Sequence, residues 1–380
     1  MTEHQTKYNV AFCVTNCICF DQRVLKIAEV VNQLNCNVTI IGRRKDHQCE
    51  STAVVFNIRR FRMIFKKGFL FYKFYNIRLF FYLLFHKFNM LVANDLDTLL
   101  PNFLVAKLKH LPLIFDSHEY FTGVPEIQNR PFVKWVWTTI EKMIFPRLKY
   151  VMTVSDSISM QYESQYGIRP LTIRNCARSS AEIKGYPKKE LGISDDHLLL
   201  ILQGGGINID RGGEELIKAL NRIEKVSLII VGSGDVLPVL KDAVNKINLS
   251  DRIRFIPNQS WNELIKYTKA ADVGLSLDKD TNLNYRFSLP NKLFDYISAG
   301  IPVITSDLPE VKKIVEESGC GIIIQNVTPE EICKAIIKLR DDLVLLNKLK
   351  QNAVIASESL NWDTESKKVI DFYRRILNFN

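Results

Sequence analysis

Residues 287–304 read FSLPNKLFDYISAGIPVI, and three of their side chains could do chemistry. Leu293 and Ile297 are four apart and share one apolar face of a short helix. Ser288 can cap that helix, Pro290 suits its first turn, Gly300 suits its stop and Pro302 lies just beyond. Capping and packing leave Asn291, Lys292 and Asp295 without a role. An Asn or Lys there could face a phosphate, and a carboxylate could accept both hydroxyls of a ribose. The alternative for Asp295 is an ordinary solvated acid on a helix surface.

A second constellation, LQGGGINIDRGG at 202–213, follows a β-branched run and opens a helical pattern. Gly204, Gly205 and Gly206 let backbone N–H groups approach a phosphate, and the helix start adds partial positive charge. Arg211 could then pair with a diphosphate through two parallel bonds. The spacing fits neither GxGxxG nor a P-loop. VGSGD, with Gly232, is another glycine turn at a strand end. Both turns also have a plain reading as backbone geometry alone. His118 lies in DSHEYF, where Asp116 or Glu119 could fix its tautomer; a hydrogen-bonded structural histidine is the alternative. Asp95-x-Asp97 in VANDLDT has manganese-binding spacing but sits between a strand and a helix, where Asp95 and Thr98 are ordinary capping types. No metal is assigned there. Asp21 and Arg23 open the first helix, either as a salt bridge or as the lining of an acceptor cleft.

The elements that must position these residues alternate. Strands are expected at YNVAFCVT, NVTIIG, AVVFNI, MLVAND, PLIFDS, YVMTVSDS and LTIRN, with helices at 21–35, 98–111 and 131–149. A polar stretch from Ala177 to Asp196 reads as a linker. The alternation then restarts with HLLLILQGGG, VSLIIVGSGD, RIRFIPN, ADVGLSL, IPVITSD and GIIIQ. The division expected is 1–185, 186–360 and a terminal helix over 361–380. Ligands of open parallel sheets collect at strand carboxyl ends, so the natural active site is a cleft between two such domains.

Composition sets outer bounds. The chain has 380 residues, 47% hydrophobic and 24% charged, which fits two folded domains. The longest apolar run, LFFYLLF at 79–85, is too short to span a bilayer, and MTEHQTKYN has no apolar signal core. A cytoplasmic location is expected. The eight cysteines have no zinc-site spacing and read as reduced structural thiols. The net charge of +10 is uneven: Ser51–Asn94 holds eight Lys or Arg and no acid, and twelve aromatics lie between Phe61 and Phe88. That mix reads as first-domain core with a solvated cationic face, or as a surface, over residues 58–90, that rests on an anionic membrane. A basic nucleic-acid-binding protein is the rival, without any RNP, helix-turn-helix or zinc motif to support it.

SLPNKLFDYISAGIPVITSD resembles the SPxKLFEYxAxGxPVI segment of the retaining glycosyltransferases of family 4, and GGGINIDRGGEELIKAL resembles their diphosphate loop. TVSDS and IRNCA match the strands leading to the interdomain linker. The resemblance covers nearly the whole chain. It implies an α/β GT-B fold, two Rossmann-like domains facing across a cleft, and transfer of a sugar from a nucleotide diphosphate-sugar to an acceptor hydroxyl. It further implies that Asp295 holds the ribose, that Arg211 contacts phosphate, that His118 reaches the donor sugar, and that no metal or other cofactor is needed. The terminal stretch would return as a helix to the first domain. Two departures stand out: Phe287 occupies the place of a usual first Glu eight residues before Asp295, and Asp295 itself replaces Glu. The sugar contact is then expected from the backbone of Arg286–Ser288. The acceptor would be a lipid-linked or free saccharide, and the setting cell-surface polysaccharide or glycolipid assembly. A nucleotide-sugar epimerase on the same fold is a second reading.

Overall fold

The computed structural model describes residues 8–18, 21–44 and 56–377. Cys19, Cys49 and the first half of the strand expected at AVVFNI lie outside these residues. Contacts divide the chain into one unit of Met1–Arg174 with Ser366–Asn380, and another of Asn175–Glu365.

The first unit is built on seven parallel strands, β1 Tyr8–Cys13, β2 Cys36–Arg43, β3 Asn57–Phe61, β4 Met90–Asn94, β5 Leu113–Ser117, β6 Tyr150–Thr153 and β7 Leu171–Thr172. Their order is β3-β2-β1-β4-β5-β6-β7. The second holds β8 Leu198–Gly204, β9 Val226–Gly232, β10 Ile253–Ile256, β11 Val273–Ser276, β12 Val303–Ser306 and β13 Gly321–Ile324. They run β10-β9-β8-β11-β12-β13, all parallel. Each sheet therefore reverses direction beside its first strand, at β1/β4 and at β8/β11. Such switch points open a crevice at the strand carboxyl ends.

Central strands such as β4, β8 and β9 are buried almost end to end because both faces of the sheet are covered. In β8, Leu198, Leu200 and Leu202 join one cluster while Leu199 and Ile201 join the other on the opposite face, as period-two side chains must.

The division falls at 174/175, earlier than the 185/186 boundary expected from composition. Polarity misled that reading, because the segment is anchored by a few buried groups. Cys176 and Ala177 enter the second unit's core. Ser180 Oγ donates to the Ser298 carbonyl at 2.5 Å, and Trp362 N–H donates to the Ala177 carbonyl at 2.8 Å. The last helix, Trp362–Leu377, belongs to the first unit from Ser366 onward. There Tyr373 is buried and Phe372 packs edge-on against Tyr150.

One packing detail in the second unit is decisive. A Cβ at Gly274, in β11, would collide with the ring of Tyr296, which is itself buried and donates its hydroxyl to the Leu275 carbonyl at 3.0 Å. Gly274→Ala should overpack this spot and cost about 1–3 kcal/mol. Chemical denaturation should show that loss; an unchanged midpoint would contradict this packing.

Candidate functional site

In the second unit the carboxyl ends of β8 and β9 cross closely. Gly232 has φ +140°, and a Cβ there would strike the Gly204 carbonyl. Glycine is required by both conformation and contact. A Cβ at Gly205 would meet nothing within 4 Å. The turn thus presents open backbone beside a pocket of about 180 Å³, lined by Gln203, Gly204, Gly205, Gly206, Arg211, Asn291 and Lys292 among others. Asn291 and Lys292 begin the Asn291–Ala299 helix, whose first turn carries partial positive charge.

The two cations of the pocket share one carboxylate, which the sequence reading did not single out. Asp278, just beyond β11 at the switch point, is fully buried. Arg211 Nη1 donates to its Oδ1 at 3.1 Å, and Lys292 Nζ lies 3.4 Å from its Oδ2. Burial works against the Asp278 anion, but Lys292 and Arg211 hold its carboxyl below the usual range. Burial lowers the Lys292 ammonium, with Asp278 opposing and Arg211 adding to that shift. The Arg211 guanidinium also lies over the Tyr285 ring at 4.7 Å. Two cations and one anion leave the Arg211–Lys292–Asp278 group net positive. The signal for Asp278 was legible in principle as an acid at the end of the ADVGLSL strand.

Asp295 is placed differently from its expected polar face. It is buried; its Oδ2 accepts from Gln203 Nε2 at 2.9 Å and its Oδ1 from Trp261 Nε1 at 3.0 Å. Gln203 Oε1 in turn accepts from Thr268 Oγ1 at 2.8 Å. Lys292 through Ile297 are all buried, because this helix is packed on several sides and not only along the Leu293–Ile297 stripe. Ser288 does not cap it either: its hydroxyl donates back to the Tyr285 carbonyl at 2.9 Å, and Pro290 occupies the cap position. Gly300 ends the helix at φ +73°, as its position suggested.

In the first unit, the other switch point gathers a second cluster. Arg23 is buried and forks onto Asp116, with Nη2 2.6 Å from Oδ1 and Nε 2.9 Å from Oδ2, while its Nη1 donates to the Ile173 carbonyl at 2.6 Å. Its partner is therefore Asp116 across the sheet, not Asp21. Asp21 instead caps the Gln22–Gln33 helix by accepting from Val24 N–H. His118 Nε2 lies 3.4 Å from Asp116 Oδ2, and its Nδ1 lies 3.5 Å from Asp95 Oδ2. The His118 backbone N–H donates to Asp95 Oδ1 at 2.8 Å. Asp95 makes no side-chain cap bond to the helix it precedes and adopts φ 61°, ψ 165°, a region nearly closed to residues with a side chain. Its carboxylate serves the histidine loop instead of the helix. Thr98 donates to the Asn94 carbonyl, and Asp97 accepts from Thr15 Oγ1 at 2.5 Å. Glu119 sits beside this group partly buried, and its backbone carbonyl accepts from Ser117 Oγ. Among the described residues, no group of three or more His, Cys, Asp or Glu could hold a metal ion.

Burial opposes a charged His118, but Asp95 and then Asp116 outweigh it and raise the imidazole to about 10. Burial likewise opposes ionisation of Asp116, which Arg23 and His118 hold well below the usual carboxylate range. Burial raises the Asp95 carboxyl in turn to about 8, so His118 and Asp95 compete for one proton while Asp116 stays ionised.

Comparison with known proteins fits this geometry. Residues 22–176 match the family model "Glycosyltransferase Family 4", and residues 188–354 match "Glycosyl transferases group 1". The chain belongs to glycosyltransferase family 4. A chitobiosyldiphosphodolichol beta-mannosyltransferase of Candida albicans is 23% identical to this family 4 chain over 276 residues, 66% of the chain and 59% of that protein. Matched stretches span 47–62% of the length of such curated relatives. The fold is that of the sucrose-phosphate synthase of Thermosynechococcus elongatus, with TM-score 0.80 at 15% identity over 98% of this chain and 100% of that one. It is also that of Anabaena HepE solved with UDP-glucose, with TM-score 0.74 at 14% identity over 97% of this chain and 99% of that one. This is the GT-B architecture of two Rossmann-like α/β domains.

Two outcomes are expected. Folding raises the His118 pKa above its unfolded value near 6.5, so the stabilisation is fully present below about pH 6.5. It fades as pH rises and is lost once pH passes through the folded value of about 10. A histidine NMR titration should show His118 still protonated at neutral pH, and Asp95→Asn should lower its midpoint; a midpoint near 6.5 in the intact protein would contradict the arrangement. Asp295→Ala should strand the buried Gln203 amide and Trp261 indole N–H, costing about 1–3 kcal/mol each. Denaturation should report that loss, and an unchanged stability would return Asp295 to a solvated face.

Proposed function

We propose that the chain transfers a sugar from a nucleotide diphosphate-sugar to an acceptor hydroxyl, with retention at the anomeric carbon as family 4 membership implies. The observation that carries this reading is the pocket at the β8/β11 switch point, where a glycine turn, a helix N-terminus, Arg211 and Lys292 converge. As the bond from the anomeric carbon to the diphosphate breaks, negative charge grows on the leaving oxygens. Donors already fixed in place stabilise that charge without reorganising. Lys292 and Arg211 are held in position by Asp278, so the donor groups stand ready before substrate arrives. Gly204, Gly205, Gly206 and Gly232 form the phosphate cradle in this reading, with Asn291 beside it. Asp295 and the backbone near Ser288 would contact ribose and sugar.

His118, protonated between Asp95 and Asp116, would donate to a sugar hydroxyl, and Glu119 would lie beside it. The name of the Candida relative, a chitobiosyldiphosphodolichol mannosyltransferase, supports a lipid-linked acceptor. The eight cations between residues 51 and 94 and the twelve aromatics between Phe61 and Phe88 support peripheral attachment through residues 58–90 to the inner face of the cytoplasmic membrane. Among the described residues no helix is long and apolar enough to cross a membrane. The epimerase reading leaves that basic, aromatic stretch without a purpose, and a nucleic-acid reading has no RNP, helix-turn-helix or zinc motif behind it.

A thermal-shift screen across UDP-, GDP-, dTDP- and CMP-sugars tests the donor. At least one diphosphate sugar should raise the melting midpoint, should be slowly hydrolysed without acceptor, and should do both in excess EDTA. No shift with any diphosphate sugar, or a strict need for manganese, would contradict the proposal.

A further inference from the structure

The Gly68–Phe85 helix breaks the usual rule for a helix at a protein surface. Its inward stripe, Phe71, Tyr75, Leu79 and Leu83, is buried. Its outward stripe is apolar as well: Leu70, Phe74, Ile77, Phe81 and Phe85 recur at three- and four-residue spacing, all exposed, and Phe85 is 76% exposed. A helix that is apolar all round is normally buried all round. Among the described residues of its unit, none covers that side.

The stripe continues onto two neighbouring helices. The β3→β4, β4→β5 and β5→β6 connections all run the same way along the sheet. Right-handed crossovers therefore put the helices Gly68–Phe85, Leu96–Lys109 and Pro131–Ile144 on one face. They pack on one another, with Tyr72 edge-on to Trp137 at 5.4 Å. The middle helix leaves Leu104 and Leu108 exposed. The third leaves Phe132 and Trp135 at 66% and 63% exposure, stacked on each other. This last pair lies beyond the 58–90 segment.

Charge on this layer has one sign. The three helices contain only two acids, Asp97 and Glu141, and both are buried. Lys73, Arg78, Lys107 and Lys142 are exposed. A second copy of the chain seated on this face by two-fold symmetry would set cation against cation. An exposed apolar patch of this extent on a monomer calls for a partner. Exposed aromatics among cations, without an outward acid, match the boundary between anionic headgroups and acyl chains.

We propose that the outer faces of these three helices together form a docking surface for an anionic lipid bilayer, with Phe74, Phe81, Phe132 and Trp135 entering the headgroup boundary. This extends the membrane part of the proposed function and rests on it only for biological purpose, since the surface would bind lipid with no donor present.

Flotation of the full chain with phosphatidylcholine vesicles of graded phosphatidylglycerol content, without nucleotide, tests it. Recovery with the vesicles should rise with phosphatidylglycerol and fall with salt. The exposed pairs Phe74→Ser/Phe81→Ser and Phe132→Ser/Trp135→Ser should each lower partitioning by on the order of tenfold or more while leaving the melting midpoint unchanged. Equal recovery at every lipid composition would overturn the proposal. So would unchanged flotation of the Phe132→Ser/Trp135→Ser variant, or a lipid-free dimer that Phe81→Ser separates and that never floats. A melting-shift screen across the UDP-, GDP- and dTDP-sugars on the same samples keeps the two readings apart. Flotation without a nucleotide shift sinks only the transferase reading, and a nucleotide shift without flotation sinks only this one.

Discussion

The carboxylate of Asp278 is the interaction on which the second unit's pocket depends. Lys292 is buried and Arg211 partly so, both against the same carboxylate, and like charges so placed repel more strongly than they would in bulk water. A buried anion between them removes most of that cost and leaves one net positive charge facing the pocket. Without it, Lys292 would lose its proton or turn away, and Arg211 would be free to leave the Tyr285 ring. The first unit repeats the principle with the same signs. There Asp116 is the shared carboxylate, Arg23 fixes it, and His118 gains its proton from what remains of the negative field together with Asp95.

Both arrangements occupy the place where a parallel sheet reverses its winding, which is why one topology used twice yields two polar clusters. The strands bring carboxyl ends together, and those ends are where backbone polarity is unpaired. Gly204 and Gly232 then let β8 and β9 meet more tightly than side chains would permit. Function is placed by the topology and given its sign by a few buried charges.

Much of this was legible in the sequence for a physical reason. Buried parallel strands are long apolar runs and glycine turns punctuate them, so β8 and β9 with their turns stood out, as did Lys292 and Arg211. What could not be read were partners distant in the chain. Asp278 looks like any acid after a strand until Arg211, far upstream, is folded against it. Asp295 looked solvated because only one buried stripe of its helix was visible; Trp261 and Gln203 cover another. Arg23 looked paired with the nearer Asp21, whereas the fold offered it Asp116 through β5. Ala177–Asp196 looked like a free linker because its anchors, Cys176 and Ser180, are small and few. The aromatic stretch could be read as core or as surface because one helix holds both kinds of stripe: Phe71, Tyr75, Leu79 and Leu83 are buried, while Phe74, Phe81 and Phe85 are exposed.

The central claim is that the β8/β11 pocket is a preformed seat for a diphosphate. Calorimetric titration of a nucleoside diphosphate and its monophosphate, in the intact protein and in Arg211→Ala, tests it most directly. The account predicts that the diphosphate binds tighter by roughly ten- to a hundred-fold, as charge-assisted bonds to one further phosphate would provide, and that Arg211→Ala removes most of this advantage while sparing monophosphate affinity. Equal affinities for the two nucleotides, or an advantage untouched by Arg211→Ala, would contradict it.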